Sequence, residues 1–393
     1  MKKNIKQIWF ALVRNFVFFI WKIFPPKVKQ SAKQHILILR LDGIGDTVLF
    51  SGCFEWIRKK FPDAKISVIV RDYVGELLEF CPFIDEIIPW NENTFTWNPF
   101  YRLNFMRRIA SHQYDVLLNP LWTHTEEGND MCRLLQARNL YMFPGKNCLP
   151  QIRNKKNATV AEVPQDVVLE YEKYGYFLRA MGIEITNEEI FPTVFSSPDA
   201  SKRIETMLAQ NIPQPFVAIV PGAGTQNKIW ALQKWVEIVN RFISETEYDL
   251  VLLGGKNDAA YCEKINSQFD TARIKNYTAQ FSLTEISEII RRATMYVGSD
   301  TGMVHIAAAT GTPTVCIMGG GHFGRFFPYG DYAKNRIAYQ QMDCYNCNWV
   351  CKYESIKCIE EISVDTVWNE VENSLKKISS EKILKYGISS ANR

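Results

Sequence analysis

Apolar residues along this chain fall into short continuous runs set between longer stretches of helical period. His35–Leu39 (HILIL), Lys65–Val70 (KISVIV), Tyr114–Asn119 (YDVLLN), Phe216–Val220 (FVAIV), Asp249–Leu253, Met295–Val297 and Thr314–Met318 are such runs. Unbroken apolar runs bounded by turn residues predict strands buried on both faces of a parallel sheet. A shorter strand is expected at Glu86–Ile88. Between the runs, Thr47–Phe61, Tyr73–Phe80, Asn98–Ser111, Glu126–Ala137 and Val167–Met181 carry helical patterns. So do Gln233–Ser244, Asp258–Phe269, Ser282–Ala293 and Met303–Thr310, and Ser363–Ile378 repeats Val364, Val367, Trp368, Val371 and Leu375 on one face. Pro144–Pro164, rich in Asn, Lys and Pro, predicts loop. The alternation implies βαβ units with helices on both sheet faces and a ligand edge at the strands' carboxyl ends.

A chain of 393 residues exceeds what one core ordinarily organises. The expected division is a leader at 1–33, a first α/β domain at 34–182, a proline-bearing linker at 183–215, a second α/β domain at 216–362, and a closing helix and tail at 363–393. The net charge of +4 hides an asymmetry. Eight of the 46 Lys and Arg lie in residues 1–33, which hold no Asp or Glu, leaving 38 basic against 42 acidic residues elsewhere. A nucleic-acid-binding body is therefore not expected, and the basicity belongs to the leader.

That leader, Ile5–Phe24 (IKQIWFALVRNFVFFIWKIF), is aromatic, flanked by lysines and stopped by Pro25-Pro26. Arg14-Asn15 interrupt it, and no small-residue cleavage site follows. An amphipathic helix lying in a membrane interface fits it, with Trp9, Phe16, Phe18, Phe19 and Trp21 immersed. A single signal-anchor span and a helix docked on the protein's own surface are the alternatives.

Chemistry gathers at three glycine-bearing turns. Val297–Pro313 (VGSDTGMVHIAAATGTP) reads as strand, turn and helix, an arrangement that points free backbone N–H groups at anions. Asp300, Thr301 and His305 stand there, although Asp300 also reads as a helix cap and His305, taken alone, as a buried, satisfied histidine. After the second domain's first strand, Gly222-Ala223-Gly224 admits close backbone approach and Lys228 adds a point charge. After the first domain's first strand comes RLDGIGD, with Arg40, Asp42, Gly43, Gly45 and Asp46. Position 48 is Val, so the third glycine of a dinucleotide fingerprint is missing. Asp46 reads either as a helix cap or as a general base.

RLDGIGD, PGAGTQNKIW and GSDTGMVHIAAATGTPTVCIMGG, in this order, resemble glycosyltransferase family 9, the lipopolysaccharide heptosyltransferases. The resemblance spans roughly residues 35–375. It implies a GT-B fold, two Rossmann-like doubly wound domains facing across a cleft. It implies inverting transfer of a sugar from a nucleotide sugar such as ADP-heptose, without a metal or other cofactor. The acceptor would be a lipid-linked glycan such as the lipid A core, at the inner face of the cytoplasmic membrane. Carried onto this sequence, Asp46 becomes the general base and Lys228 a diphosphate contact. Asp300, Thr301, Gly302 and His305 become the donor motif, and Phe281 borders the nucleobase. Arg40, Asp42, Gly43 and Gly45 fall on the acceptor side. Where many relatives have G-x-T-[DE]-P, this chain has Gly319-Gly320-Gly321-His322-Phe323-Gly324-Arg325, so His322 and Arg325 become candidate donor contacts.

Cys344, Cys347, Cys351 and Cys358 follow C-x2-C-x3-C-x6-C. Thiolates so spaced are candidate ligands of a structural zinc; reduced packing thiols and disulfides remain open. The remaining six cysteines read as reduced core residues. Against the enzyme stands a second class, a catalytically silent membrane-associated nucleotide-sugar-binding or glycan-assembly protein, and a third, a GT-B epimerase or phosphorylase.

Overall fold

The computed structural model describes residues 2–29, 33–212 and 214–391. Met1, the end of the leader at 30–32, linker Pro213 and tail residues 392–393 lie outside the described residues. The chain divides into two compact units. The first is Met1–Gly43, Gly52–Val167 and Glu172–Ile190; the second is Ile44–Ser51, Val168–Tyr171 and Phe191–Arg393.

The first unit holds β1 (His35–Arg40), β2 (Lys65–Arg71), β3 (Glu86–Trp90), β4 (Tyr114–Asn119), β5 (Ala137–Met142) and β6 (Ala158–Val160). They pair in the order β3-β2-β1-β4-β5-β6, every pairing parallel. The second unit holds β7 (Phe216–Val220), β8 (Asp249–Leu252), β9 (Ile274–Asn276), β10 (Met295–Ser299), β11 (Thr314–Ile317) and β12 (Asn335–Ala338). Their order is β12-β11-β10-β7-β8-β9, again all parallel. Each sheet therefore reverses direction once, between β1 and β4 and between β7 and β10, and such switch points are where open α/β sheets take ligands.

The central strands are fully buried because both faces carry helices. β1 reads buried at all six positions, as do β7 and β10 along their lengths. In the second unit Trp230 and Trp235 meet edge to face with centroids 5.4 Å apart, and Trp230 Nε1 donates to Ile362 O at 3.0 Å. Burying an aromatic side chain of this size removes about 4–6 kcal/mol of apolar hydration cost before entropy is counted.

Several elements depart from the sequence expectation for local reasons. The expected helix Thr47–Phe61 is two helices, Ile44–Phe50 and Cys53–Lys60, broken where Ser51 Oγ donates to Val48 O at 2.6 Å. Tyr73–Phe80 shrinks to the 3-10 turn Gly75–Leu78. Glu126–Leu134 stops short, and Ala137 opens β5 instead. The stretch expected to be linker holds the helix Pro198–Asn211. Ser197 caps it by accepting from Ala200 N at 3.2 Å, and Pro198 fills the first helical position. Strands β5, β6, β9 and β12 are additions to the expected set, and β6 with the short helix Pro150–Arg153 falls where Pro144–Pro164 predicted loop. Strands β6, β9 and β12 are short and at sheet edges, and Lys275, Asn276, Asn335 and Arg336 dilute the apolar signal of the last two.

The leader is a helix, Lys2–Ile23, with two faces. One docks on the first unit. Val13 and Val17 are buried, Arg14 bridges Glu126 at 3.1 Å and Asp130 at 3.6 Å, and Trp9 Nε1 donates to Trp97 O at 3.3 Å. Arg102 and Arg133 sit over the Phe10 and Phe18 rings, each at 4.6 Å. The other face leaves Ile8, Leu12, Phe16, Phe19 and Ile23 exposed at helical spacing. Among the described residues no helix is long and apolar enough to cross a membrane, so the spanning alternative finds no support.

Candidate functional site

The second unit's switch point collects most of the expected residues. Lys228 follows β7 in the 3-10 turn Gln226–Lys228, and Asp300 follows β10. Their side chains meet: Lys228 Nζ donates to Asp300 Oδ2 at 2.7 Å and to Asp300 O at 3.1 Å. Two of the ammonium's three N–H groups are so engaged. The pair is not sealed, because the lysine side chain keeps 20% of its exposure and the aspartate 10%.

Thr301 caps the helix Gly302–Ala309, its Oγ1 accepting from Met303 N at 3.3 Å. This places the helix's positive end beside the Lys228–Asp300 pair. Four residues on from Thr301, His305 is buried, stacked parallel on Tyr329 at 5.8 Å and edge-on to Phe327. Burial pulls its pKa down from 6.5 to about 4, with Asp300 opposing and Lys228 reinforcing the shift. The imidazole is neutral at pH 7, and its Nδ1 has no hydrogen-bond partner among the described residues.

Asp46 lies in the same unit, because the helix Ile44–Phe50 packs on the helix Gly302–Ala309. The approach is at backbone distance. A Cβ on Gly45 would lie 2.6 Å from His305 Cδ2, and one on Gly302 would lie 2.6 Å from Ile44 Cβ. Both positions need glycine for room. Asp46 sits half-buried inside the helix's first turn, not at its N-cap, since the helix already begins at Ile44.

The glycine loop after β7 is mixed. A Cβ on Gly222 would strike the Asp258 carboxylate at 2.1 Å, whereas Gly224 has nothing within 4 Å. Asp258 Oδ2 accepts from Gly255 N at 2.8 Å, and burial raises its pKa. Ala223 between them is half-buried. Phe281 is half-buried and meets Tyr277 edge to face at 5.4 Å, just before a helix whose cap, Ser282, exchanges hydrogen bonds with Glu285.

Beyond β11, His322 is half-buried, edge-on to Phe326 and Trp349, with its pKa lowered by burial and then by Arg325 and Lys228. Arg325 is tied elsewhere: its Nε donates to Glu170 Oε2 at 3.0 Å, and its carbonyl accepts from Glu170 N at 2.7 Å. Glu170 is more than nine-tenths buried, so Arg325 reads first as an anchor of that loop.

In the first unit, Arg40 is entirely buried. It pairs with Asp42 at 2.7 Å, donates to Pro120 O at 3.3 Å and reaches Tyr174 Oη at 3.4 Å. Its charge is spent holding the turn after β1, while Asp42 and Gly43 remain half-buried.

The cysteine set forms no disulfide. All four thiols are free, and among the described residues no three His, Cys, Asp or Glu side chains could hold an ion together. Cys358 packs on Gly320 from the helix Lys357–Glu360, and Cys351 Sγ donates to Ser355 O at 3.3 Å. Burial, then the three neighbouring thiols, raises the Cys358 pKa, so the group is close without converging.

Trp349, which no motif marked, is the residue sequence reasoning missed. Its loop turns through three non-glycine residues of positive φ, Asn346 (62°), Asn348 (51°) and Trp349 (61°). The indole then lies on the glycine triplet: Cβ atoms on Gly319 and Gly321 would fall 2.7 and 2.3 Å from it. The triplet itself was the available signal, since three consecutive glycines mark close approach by something bulky.

With this geometry in place, comparison with known proteins is informative. The family described as glycosyltransferase family 9 (heptosyltransferase) matches residues 156–355. Lipooligosaccharide heptosyltransferase 2 of Haemophilus influenzae is 22% identical over 293 residues, 73% of this chain and 83% of that protein. Among solved structures, a glycosyl transferase family 9 protein from Veillonella parvula superposes with a TM-score of 0.73 at 18% identity, covering 89% of this chain and all of that one. An ADP-heptose lipopolysaccharide heptosyltransferase II of Escherichia coli superposes with a TM-score of 0.65 at 18% identity, covering 88% and 99%. The shared architecture is the GT-B fold.

Proposed function

Because this chain belongs to glycosyltransferase family 9, the heptosyltransferases, and is a glycosyltransferase, we propose that it moves a heptose from ADP-heptose to a lipopolysaccharide core or related envelope glycan, with inversion and with Asp46 as general base. The observation that carries this reading is the backbone-distance packing of the helix bearing Asp46 on the helix that Thr301 caps and that bears Gly302 and His305.

The chemistry follows from that juxtaposition. The Asp46 carboxylate takes the proton of an acceptor hydroxyl as its oxygen forms the bond to the anomeric carbon. The anomeric carbon–oxygen bond to the diphosphate breaks on the opposite face, and the electron pair leaves with the phosphate oxygen. Lys228 and the amino end of the helix Gly302–Ala309 receive that growing negative charge, so a preformed electrostatic site does what a metal would otherwise do. Neutral His305, with its Nδ1 unpaired, suits a hydrogen bond to a donor hydroxyl. The Tyr277–Phe281 pair offers an aromatic edge to the nucleobase, and His322 faces the sugar.

Asp46→Asn keeps shape and removes the base. Turnover is expected to slow by a factor of about 10²–10⁴, the usual worth of a positioned base, with the KM for ADP-heptose unchanged. Turnover as fast as wild type would sink the assignment. Failure of wild-type protein to release nucleotide from ADP-, GDP- or UDP-sugars with a lipid A-type acceptor would favour the silent binding protein instead.

The leader supports a membrane-surface enzyme. Its exposed Ile8, Leu12, Phe16, Phe19 and Ile23 form an apolar stripe within a segment that carries basic and no acidic residues, the composition that binds anionic bilayers in plane. Phe16→Glu with Phe19→Glu should abolish co-sedimentation with vesicles containing anionic lipid. Unchanged sedimentation would show that the stripe binds something else.

A further inference from the structure

The glycine triplet Gly319–Gly321 follows β11, and the structure shows what covers it. The loop from Gln341 to Ile356 folds back over it. Asn346 N donates to Gly320 O at 2.7 Å and Asn348 N to Gly321 O at 2.9 Å, pinning the loop to the turn backbone. Tyr345 covers Gly320, where a Cβ would lie 2.8 Å from its ring, and stacks on Phe323 at 4.1 Å. The Trp349 indole covers Gly319 and Gly321. From there it reaches the site: Lys228 Nζ lies 5.5 Å from the indole centroid, and His322 meets the same ring edge-on. The indole packs against the second unit's core, with Ile359 beside it at Gly319.

We infer that Trp349 is a positioning residue for Lys228, and that the cysteine-bearing loop forms a wall of the nucleotide-sugar diphosphate site. This rests on the reading of Lys228 as the diphosphate contact. An ammonium on a flexible four-carbon stem has many rotamers. Asp300 holds it from one side by two hydrogen bonds, and the negative face of the indole limits its travel on the other. The remaining N–H is thereby aimed at a fixed place, where a phosphate oxygen can accept it. The triplet is glycine because any side chain there would lift the indole from the lysine.

The test compares Trp349→Leu, Trp349→Phe, Lys228→Met and the Leu/Met double variant, with thermal unfolding as a check on folding. ADP and AMP affinities are measured by calorimetry, and KM and kcat with ADP-heptose. Trp349→Leu is expected to weaken ADP by roughly three- to tenfold, the worth of one cation–ring contact, to lower kcat/KM with ADP-heptose by at least as much, because Lys228 also meets the leaving diphosphate, and to leave AMP affinity unchanged. Trp349→Phe restores most of the loss. In the Lys228→Met background the Leu substitution adds nothing, because the two act as one unit. Gly321→Ala, which displaces the indole without removing it, reproduces the selective loss. Equal weakening of ADP and AMP, or a full additional loss in the double variant, overturns the proposal. Weakening by Lys228→Met with Trp349→Leu silent overturns it alone; unchanged ADP affinity in Lys228→Met overturns the diphosphate reading and the proposal with it.

Discussion

The two sheets share one strand order but use charge at their carboxyl edges in opposite ways. After β1, Arg40 is wholly buried and its terminal nitrogens engage Asp42, Pro120 O and Tyr174. After β7 and β10, Lys228 and Asp300 also pair, yet Lys228 stays partly exposed and retains donor capacity. A cation of the first kind holds a turn in place. A cation of the second kind can exchange part of its partnership for a ligand. The same doubly wound scaffold therefore yields a structural edge or a binding edge according to how completely its charges are satisfied.

Paired substitutions break the comparison where it is strongest. Arg40→Met should cost about 3 kcal/mol of stability in urea unfolding, the low end for breaking a buried ion pair, because Asp42 keeps 23% exposure of its side chain. It should leave ADP affinity intact. Lys228→Met should do the reverse, with little change in the unfolding midpoint and weaker ADP binding. An Arg40 variant that unfolds normally but loses donor affinity would erase the distinction.

A smaller effect comes from pH. His305 is held at a pKa of about 4 against 6.5 when unfolded. The folded state resists the proton that the unfolded state takes up. Its stabilising share is thus fully present above pH 6.5 and is lost progressively as pH falls from 6.5 toward 4. The full swing is at most about 3 kcal/mol for a shift of this size. His35, also pulled down to about 4 by burial and by Lys65, adds a parallel loss in the first unit. The dependence of stability on pH across that range should be steeper in wild type than in His305→Gln; identical slopes would mean the imidazole is protonated without penalty.

Much of the architecture was legible in the sequence because buried parallel strands need continuous apolar runs, and these survive as HILIL, KISVIV, YDVLLN and FVAIV. The edge strands β6, β9 and β12 were not legible, since an edge position needs few apolar residues. The helix Pro198–Asn211 has a sound start signal in Ser197-Pro198, but the prolines on either side of it are equally the mark of a linker. The residues around Asp300 and Lys228 were legible as a motif, but their direct pairing was not, because it joins the ends of two different strands. Arg40 illustrates the opposite limit: an arginine at a strand exit looks solvent-facing until Tyr174 and Pro120 close over it. Trp349 was hidden for the same reason, its partners lying in the glycine triplet and at Lys228.

The pairing of Lys228 with Asp300 has one more consequence, for how a donor finds its place. Lys228 is offset by Asp300, Arg325 by Glu170, and burial keeps His305 uncharged at neutral pH. These three groups add little net charge, so they give an arriving diphosphate little long-range pull beyond a Debye length of about 8 Å at physiological salt. Enzymes that gather anions with a bare cationic funnel lose capture rate steeply as ionic strength rises. Here the capture rate should scarcely respond to salt. Recognition is deferred to the moment of contact, when phosphate oxygens compete with a carboxylate already in place.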